Sequence, residues 1–140
     1  MTTEKEDIEL FNAELVAEKN IDGVIFQLFS NRIFYVKVPR YEKIGQKIVT
    51  EGYRFLDDNG GGKFYNIYHF RSFSDVDTET RKWAADPSGN KYTYTDAIVI
   101  GNIGQKIITD FYIRFDKPIV PTKIFFSLDK AIEWTEDQFK

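Results

Sequence analysis

A continuous apolar run, Ala97-Ile98-Val99-Ile100, is the feature of this sequence that most constrains its fold. A strand with one face in water alternates apolar and polar side chains, whereas a strand covered on both faces can be apolar throughout. The run therefore predicts an interior strand over residues 94–100. Gly101 and Asn102 end that strand and start a helix, because asparagine is a favoured N-cap residue.

The residues after Asn102 predict a helix, a strand and a second helix, in that order. Apolar residues recur at helical spacing until Lys117-Pro118, where that helix is expected to end. A strand over residues 122–126 follows, and Ser127 is placed to cap a last helix. Two strands joined through a helix predict parallel pairing by a crossover connection.

The rest of the chain predicts a single α/β domain over residues 8–140, preceded by a flexible N-terminus at residues 1–7. Alternating and apolar runs indicate strands at residues 11–17, 24–29, 33–38 and 64–70, and helical spacing indicates helices at 40–56 and 75–85. The glycine-rich residues 57–62 form a flexible surface loop that follows a helix, unlike a phosphate-binding loop, which precedes one. We expect a mixed sheet of about five or six strands with about four helices.

The C-terminal part of this pattern resembles a known family. Residues 116–125 read Asp-Lys-Pro-Ile-Val-Pro-Thr-Lys-Ile-Phe, and residues 129–134 read Asp-Lys-Ala-Ile-Glu-Trp. Together with the Ile100-Gly101-Asn102 turn, they resemble the C-terminal signature of the SpoIIAA-like proteins, small bacterial relatives of STAS and SEC14 domains. The resemblance covers residues 98–134 and implies a STAS-type sheet that opens with antiparallel strands.

The resemblance also implies a class of function. STAS-type members suggest a non-catalytic regulatory or protein-interaction module with an unidentified protein partner. SEC14 relatives bind lipids, so the alternative is a carrier of a lipid or small apolar ligand. Aromatic residues make up 16% of the chain, and Gly45 and Gly52 on the first helix provide either close packing or room for such a ligand.

The start of the helix at residues 75–85 is where the resemblance points to a site. In phosphorylation-switched members, an Asp-Ser pair stands at the N-terminus of the equivalent helix and the serine is phosphorylated. Asp77-Thr78 is the corresponding pair here, and we expect a phospho-switch or partner loop formed by Ser72, Ser74, Asp77 and Thr78. The alternative is that Ser74 and Asp77 form a capping box and the acids only complement the helix dipole.

Two surfaces are further candidates for partner binding. A basic stripe on the first helix suits an acidic partner or a lipid headgroup, although such stripes are often only a solvated flank. The stripe consists of Arg40, Lys43, Lys47 and Arg54. Tyr112 and Ile113 lie off the apolar face of their helix, which indicates either a frayed end or a contact surface for a partner or a homodimer.

Composition argues against several classes of chemistry. The chain has no cysteine and one histidine, so we expect no thiolate catalysis, no metal site and no cofactor, and we expect His69 to be a half-buried strand residue bonded to backbone or tyrosine. The acid pairs at residues 57–58 and at Asp75 and Asp77 fit turns and caps better than a catalytic dyad. The sequence therefore predicts a protein that is not an enzyme.

Charge and hydropathy limit the partners and the location. A net charge of −3 gives no basis for nucleic-acid binding. No apolar run approaches the roughly 20 residues that cross a bilayer, and the first residues lack the apolar core of a signal peptide. We therefore expect a cytoplasmic protein that does not span a membrane.

Overall fold

The computed structural model describes residues 10–40, 42–71, 74–85, 92–102 and 119–140. The strands are β1 (Leu15–Ile21), β2 (Val24–Phe29), β3 (Ile33–Val38), β4 (Lys43–Ile44), β5 (Phe64–Phe70), β6 (Asp75–Val76), β7 (Thr93–Val99) and β8 (Thr122–Phe125). The helices with described bounds are α1 (Gln46–Asp58), α2 (Thr78–Ala85) and α3 (Leu128–Asp137).

Six strands form one mixed sheet in the order β1-β2-β3-β5-β7-β8. The first three strands pair antiparallel, and β3, β5, β7 and β8 pair parallel. The α/β class, the antiparallel opening and the parallel pairing of the last two strands are therefore confirmed. The helix expected between Asn102 and Lys117 lies outside the described residues.

The apolar run at the end of β7 is covered on both faces, as its composition predicts. Ala97 and Val99 are buried in one cluster with residues of α3, and Ile98 and Ile100 are buried in another. β7 lies between β5 and β8, so it is an interior strand. Each of these side chains is removed from water, which stabilises the fold by about 1.5–3 kcal/mol for a valine or isoleucine.

Helix α1 covers the opposite face of the sheet from α3. Phe55 of α1 lies against Phe26 and Phe34, with ring centroids 5.9 Å apart in both pairs. A Cβ on Gly52 would lie 3.6 Å from the Phe26 ring, which is ordinary van der Waals contact. The glycine therefore leaves room for one added methyl group at this contact.

The glycine loop after α1 is fixed to the sheet by Arg32. Its guanidinium donates hydrogen bonds to the carbonyl oxygens of Lys63, at 2.8 Å, and Gly61, at 2.9 Å. The same group lies 4.1 Å from the centre of the Phe64 ring. The prediction of a flexible loop overlooked this clamp, which joins residues far apart in the chain.

The predicted strand at residues 11–17 is wrong in its first half. Leu10 and Phe11 are helical, Asn12 has a positive φ of 53°, and β1 begins at Leu15. Phe11 is buried and stacks on Phe29 with ring centroids 4.2 Å apart. Burial of this ring against the sheet outweighs the strand pattern of the local sequence.

The predicted start of the first helix at Arg40 is also wrong, because α1 begins at Gln46. Lys43 and Ile44 instead form β4, which pairs in parallel with β6. The amide of Asp77 extends this pairing by donating to the Ile44 carbonyl at 2.9 Å. The predicted helix at 75–85 is shortened for the same reason, and α2 begins at Thr78.

Candidate functional site

The N-termini of α1 and α2 lie side by side at the end of the β4–β6 pair. Asp77 is the N-cap of α2, and its Oδ1 accepts a hydrogen bond from the Thr80 amide at 2.8 Å. A Cβ on Gly45 would lie 3.0 Å from Asp77 Oδ2, so a side chain at this position would require the carboxylate to shift by a few tenths of an ångström. One carboxylate therefore lies at two helix ends, where the helix dipoles favour a negative charge.

The described residues of the predicted phospho-switch differ in exposure. Thr78 is exposed, whereas Ser74 is only 1% exposed and its hydroxyl donates to the Arg71 carbonyl. Ser72 lies outside the described residues. The predicted Ser74–Asp77 capping box is wrong, because the amide that Asp77 caps belongs to Thr80 and β6 separates Ser74 from the helix.

The predicted basic stripe does not form on one helix, since Arg40 and Lys43 precede α1. Lys47 lies 3.1 Å from Asp22 Oδ2, and Arg54 lies 3.1 Å from Glu51 Oε1. Both pairs are surface ion pairs, which contribute about 0–1 kcal/mol. Tyr112 and Ile113, the other predicted surface, lie outside the described residues.

His69 is the half-buried strand histidine that the sequence predicts. Its Nδ1 lies 2.7 Å from the hydroxyl of Tyr35 on the neighbouring strand. Burial, together with Lys37 and Arg71, lowers the pKa of His69 to about 4. The imidazole is therefore neutral at physiological pH and acts as a hydrogen-bond partner within the sheet.

A buried polar cluster crosses from β5 to β7 on the face that α1 covers. Asn66 is 2% exposed, and its Nδ2 donates to Thr93 Oγ1 at 2.9 Å and to Asp96 Oδ1 at 3.1 Å. Asn66 Oδ1 is buried and has no hydrogen-bond partner among the described residues. An unsatisfied buried acceptor costs about 1–3 kcal/mol and requires an explanation.

Asp96 is the titratable residue of this cluster. Burial raises its pKa to about 6, and the hydrogen bond from Asn66 opposes that rise only in part. The carboxyl group therefore changes its charge close to physiological pH. Carboxyl groups with such raised pKa values are common at functional sites, although structural networks also produce them.

Two tyrosines connect the cluster to α1. The rings of Tyr53 and Tyr92 have centroids 4.7 Å apart, and the Tyr92 hydroxyl lies 2.8 Å from each carboxylate oxygen of Asp57. Burial and the nearby charge of Asp96 raise the pKa of Tyr53. Tyr53 therefore stays protonated at all physiological pH values.

Sequence reasoning missed this cluster, although one signal was present. Asp96 is a charged residue directly before the apolar run of an interior strand, where charges are rarely found without a partner. Asn66 gave a weaker signal as a polar residue between Tyr65 and Ile67. Their adjacency depends on the β5–β7 register, which pairs Asn66 with Asp96 and cannot be read from spacing.

Across residues 10–40, 42–71, 74–85, 92–102 and 119–140, no group of three or more histidine, cysteine or acidic side chains is arranged to hold a metal ion. Within those same ranges, no helix is both long enough and apolar enough to cross a membrane.

Comparison with known proteins places the chain in a family. No curated protein and no solved structure matches it. One family model, described as a domain of unknown function (DUF7793), matches residues 27–138, from β2 to the last residues after α3. The match extends over more than half of the chain, and the protein therefore belongs to the DUF7793 family.

Proposed function

We propose that this protein is a non-catalytic regulatory module that binds a protein partner, as in SpoIIAA-like domains. Its partner loop is the start of α2, with Thr78 as the modifiable residue. The observation that carries the proposal is the position of Thr78, exposed directly after the N-cap Asp77 and beside the N-terminus of α1.

The sheet order supports the assignment to this type of domain. After the antiparallel opening, each strand from β3 to β8 in the main sheet lies next to the one that precedes it there. The C-terminal strand that carries the resemblance, β8, joins the same sheet in parallel beside the apolar strand β7. This agrees with the mixed sheet that the resemblance implies.

Phosphorylation at Thr78 would change the charge of this surface strongly. A phosphate adds about −1.5 to −2 charges at pH 7, and a helix N-terminus favours negative charge. The phosphate would stand beside the carboxylate of Asp77. The two negative groups together would make the modified surface strongly acidic. Such a change suits control of docking by a partner more than stabilisation of the fold.

The experiment begins with protein purified from its native host with phosphatases inhibited. Mass spectrometry of the peptide that contains residues 75–82 tests for phosphate on Thr78. Crosslinking in the host then compares the wild type with Thr78→Glu and with Thr50→Glu, a matched control on an exposed position of α1. We expect Thr78→Glu to change one specific crosslinked partner and Thr50→Glu to leave it unchanged.

The proposal fails if the peptide carries no phosphate and the crosslinked partner is identical in all three proteins. A homodimer as the partner would be recognised by analytical ultracentrifugation of the same three proteins. A Thr78→Glu dimer that dissociates, with an intact control dimer, would assign the loop to that self-association.

The alternative function, a carrier of a lipid or apolar small molecule, has less support in the described residues. Aromatic rings pack under α1, and a Cβ added at Gly52 would already lie 3.6 Å from the Phe26 ring, so the glycine leaves room for little more than a methyl group. Gly45 is accounted for by the Asp77 carboxylate beside it. Organic extraction of protein from the native host, followed by mass spectrometry, would favour the carrier if it released one lipid in stoichiometric amount.

A further inference from the structure

We propose that Asn66, Thr93 and Asp96 form a binding site for a small primary alkylammonium ligand, whose N–H groups donate to the Asn66 amide oxygen and the Asp96 carboxylate. The site lies on the sheet face that α1 covers, away from the α2 loop. It is independent of the proposed interaction function, and either proposal can fail alone.

The unpaired oxygen of Asn66 is the first observation. Both N–H groups of the Asn66 amide have acceptors, Thr93 Oγ1 and Asp96 Oδ1, while its Oδ1 is buried without a donor. Turning the amide over would place that oxygen against the ionised carboxylate of Asp96, so the charge of Asp96 fixes the amide in this orientation. The site therefore requires a donor from outside the described residues.

The charge of Asp96 is the second observation. Asn66 is the only described hydrogen-bond partner of its carboxylate, which forms no ion pair with the described residues. The residue as a whole is only partly exposed, and burial of its carboxyl group is the largest cause of its raised pKa. A half-buried carboxylate without a cation attracts a positively charged donor more strongly than a neutral one.

The nearby tyrosines favour an organic cation over a metal ion. Tyr53 lies close enough to Asp96 for the carboxylate to influence its ionisation, and its ring contacts that of Tyr92. Aromatic faces attract alkylammonium groups, and the alkyl part of such a ligand is compatible with this apolar setting. A hard metal ion would need six or more oxygen ligands, and the described cluster offers fewer.

The test is a titration of the isotopically labelled protein with ethylammonium chloride, followed through the side-chain amide resonances of Asn66. We expect a saturable shift of these resonances at pH 7.5. Tetramethylammonium chloride, which has the charge but no N–H group, and sodium chloride at equal ionic strength should each give no saturable shift.

Two variants test whether ethylammonium binds at Asp96. Asp96→Asn removes the charge and keeps the shape, and it should weaken ethylammonium binding by about tenfold or more, as expected for loss of a charged hydrogen bond. Asp58→Asn makes the same change at an exposed carboxylate of α1 and should leave the affinity unchanged.

Absence of a saturable shift in the wild type overturns the proposal, and water is then the occupant of the site. Equal shifts with ethylammonium and sodium chloride overturn it as well, because they report ionic strength only. Equal affinity in the wild type and in Asp96→Asn would place any bound amine elsewhere.

Discussion

Replacing Asp96 by asparagine is expected to stabilise the protein at neutral pH. The wild-type carboxylate is held in a desolvated site, where it accepts a single described hydrogen bond, from Asn66. The asparagine amide oxygen can accept the same bond without carrying a charge. The substitution therefore keeps the geometry and removes the cost of burying the charge.

The magnitude follows from the pKa of Asp96, which folding raises from 3.8 to about 6. Between these values the folded protein binds a proton more tightly than the unfolded chain does, so stability falls as pH rises through this window. The full difference is about 3 kcal/mol at about 1.4 kcal/mol per pH unit. Partial exposure of Asp96 and the weaker bond to a neutral acceptor reduce the expected gain to about 1–2 kcal/mol above pH 7.

The measurement is urea denaturation of the wild type and of Asp96→Asn at several pH values. We expect the variant to be more stable at pH 8 and the difference to shrink as pH falls through the window from about 6 to 3.8, reaching zero only below pH 3.8, where the carboxyl group is protonated in both states. Asp58→Asn, at an exposed site, should show no such trend. A difference that is constant with pH, or that grows as pH falls, would refute the assignment of a buried charge to Asp96.

Three further predictions concern the packing of the domain. Arg32→Ala should lower the free energy of unfolding by about 1–2 kcal/mol, because two charge-assisted hydrogen bonds and a cation–π contact are lost; an unchanged denaturation midpoint would exclude the clamp. Gly52→Ala should raise the free energy of unfolding by about 0.5–1 kcal/mol, since alanine favours helix and its Cβ would lie at van der Waals distance from Phe26; a destabilised variant would show tighter packing there than the 3.6 Å contact implies. His69 should titrate by NMR with a midpoint of about 4, so its contribution to stability is complete above pH 6.5 and is lost as pH falls toward 4; a midpoint near 6.5 would contradict its burial against Tyr35.

The sequence predicted best where one local pattern determines the structure. The apolar run at Ala97 to Ile100 needed cover on both faces, and no half-exposed strand would explain it. Ser127 precedes α3 and accepts a hydrogen bond from the Lys130 amide, as a helix cap should. In both cases residues a few positions apart carry the information.

The predictions from sequence were wrong or incomplete where contacts between residues far apart in the chain determine the structure. The alternating pattern around Phe11 predicted a strand, but Phe11 stacks on Phe29 instead. The helical pattern around Ile44 predicted a helix, but Ile44 pairs with Val76 in the two-stranded sheet. The cluster at Asn66 and Asp96 depends on strand register in the same way. The helix after Asn102, with Tyr112 and Ile113, lies outside the described residues, so that part of the prediction stays a prediction.

The order of the strands has a consequence for synthesis on the ribosome. Each strand of the main sheet pairs with the strand that comes before it there, so the nascent chain can add strands one at a time as they emerge. Ala97 and Ile67, however, share a cluster with Ala131 and Ile132 of α3, which is translated after every strand of this sheet. Until α3 has been synthesised, one apolar face of the growing sheet stays exposed and can contact other chains. A chaperone that binds during this interval would protect the sheet from aggregation.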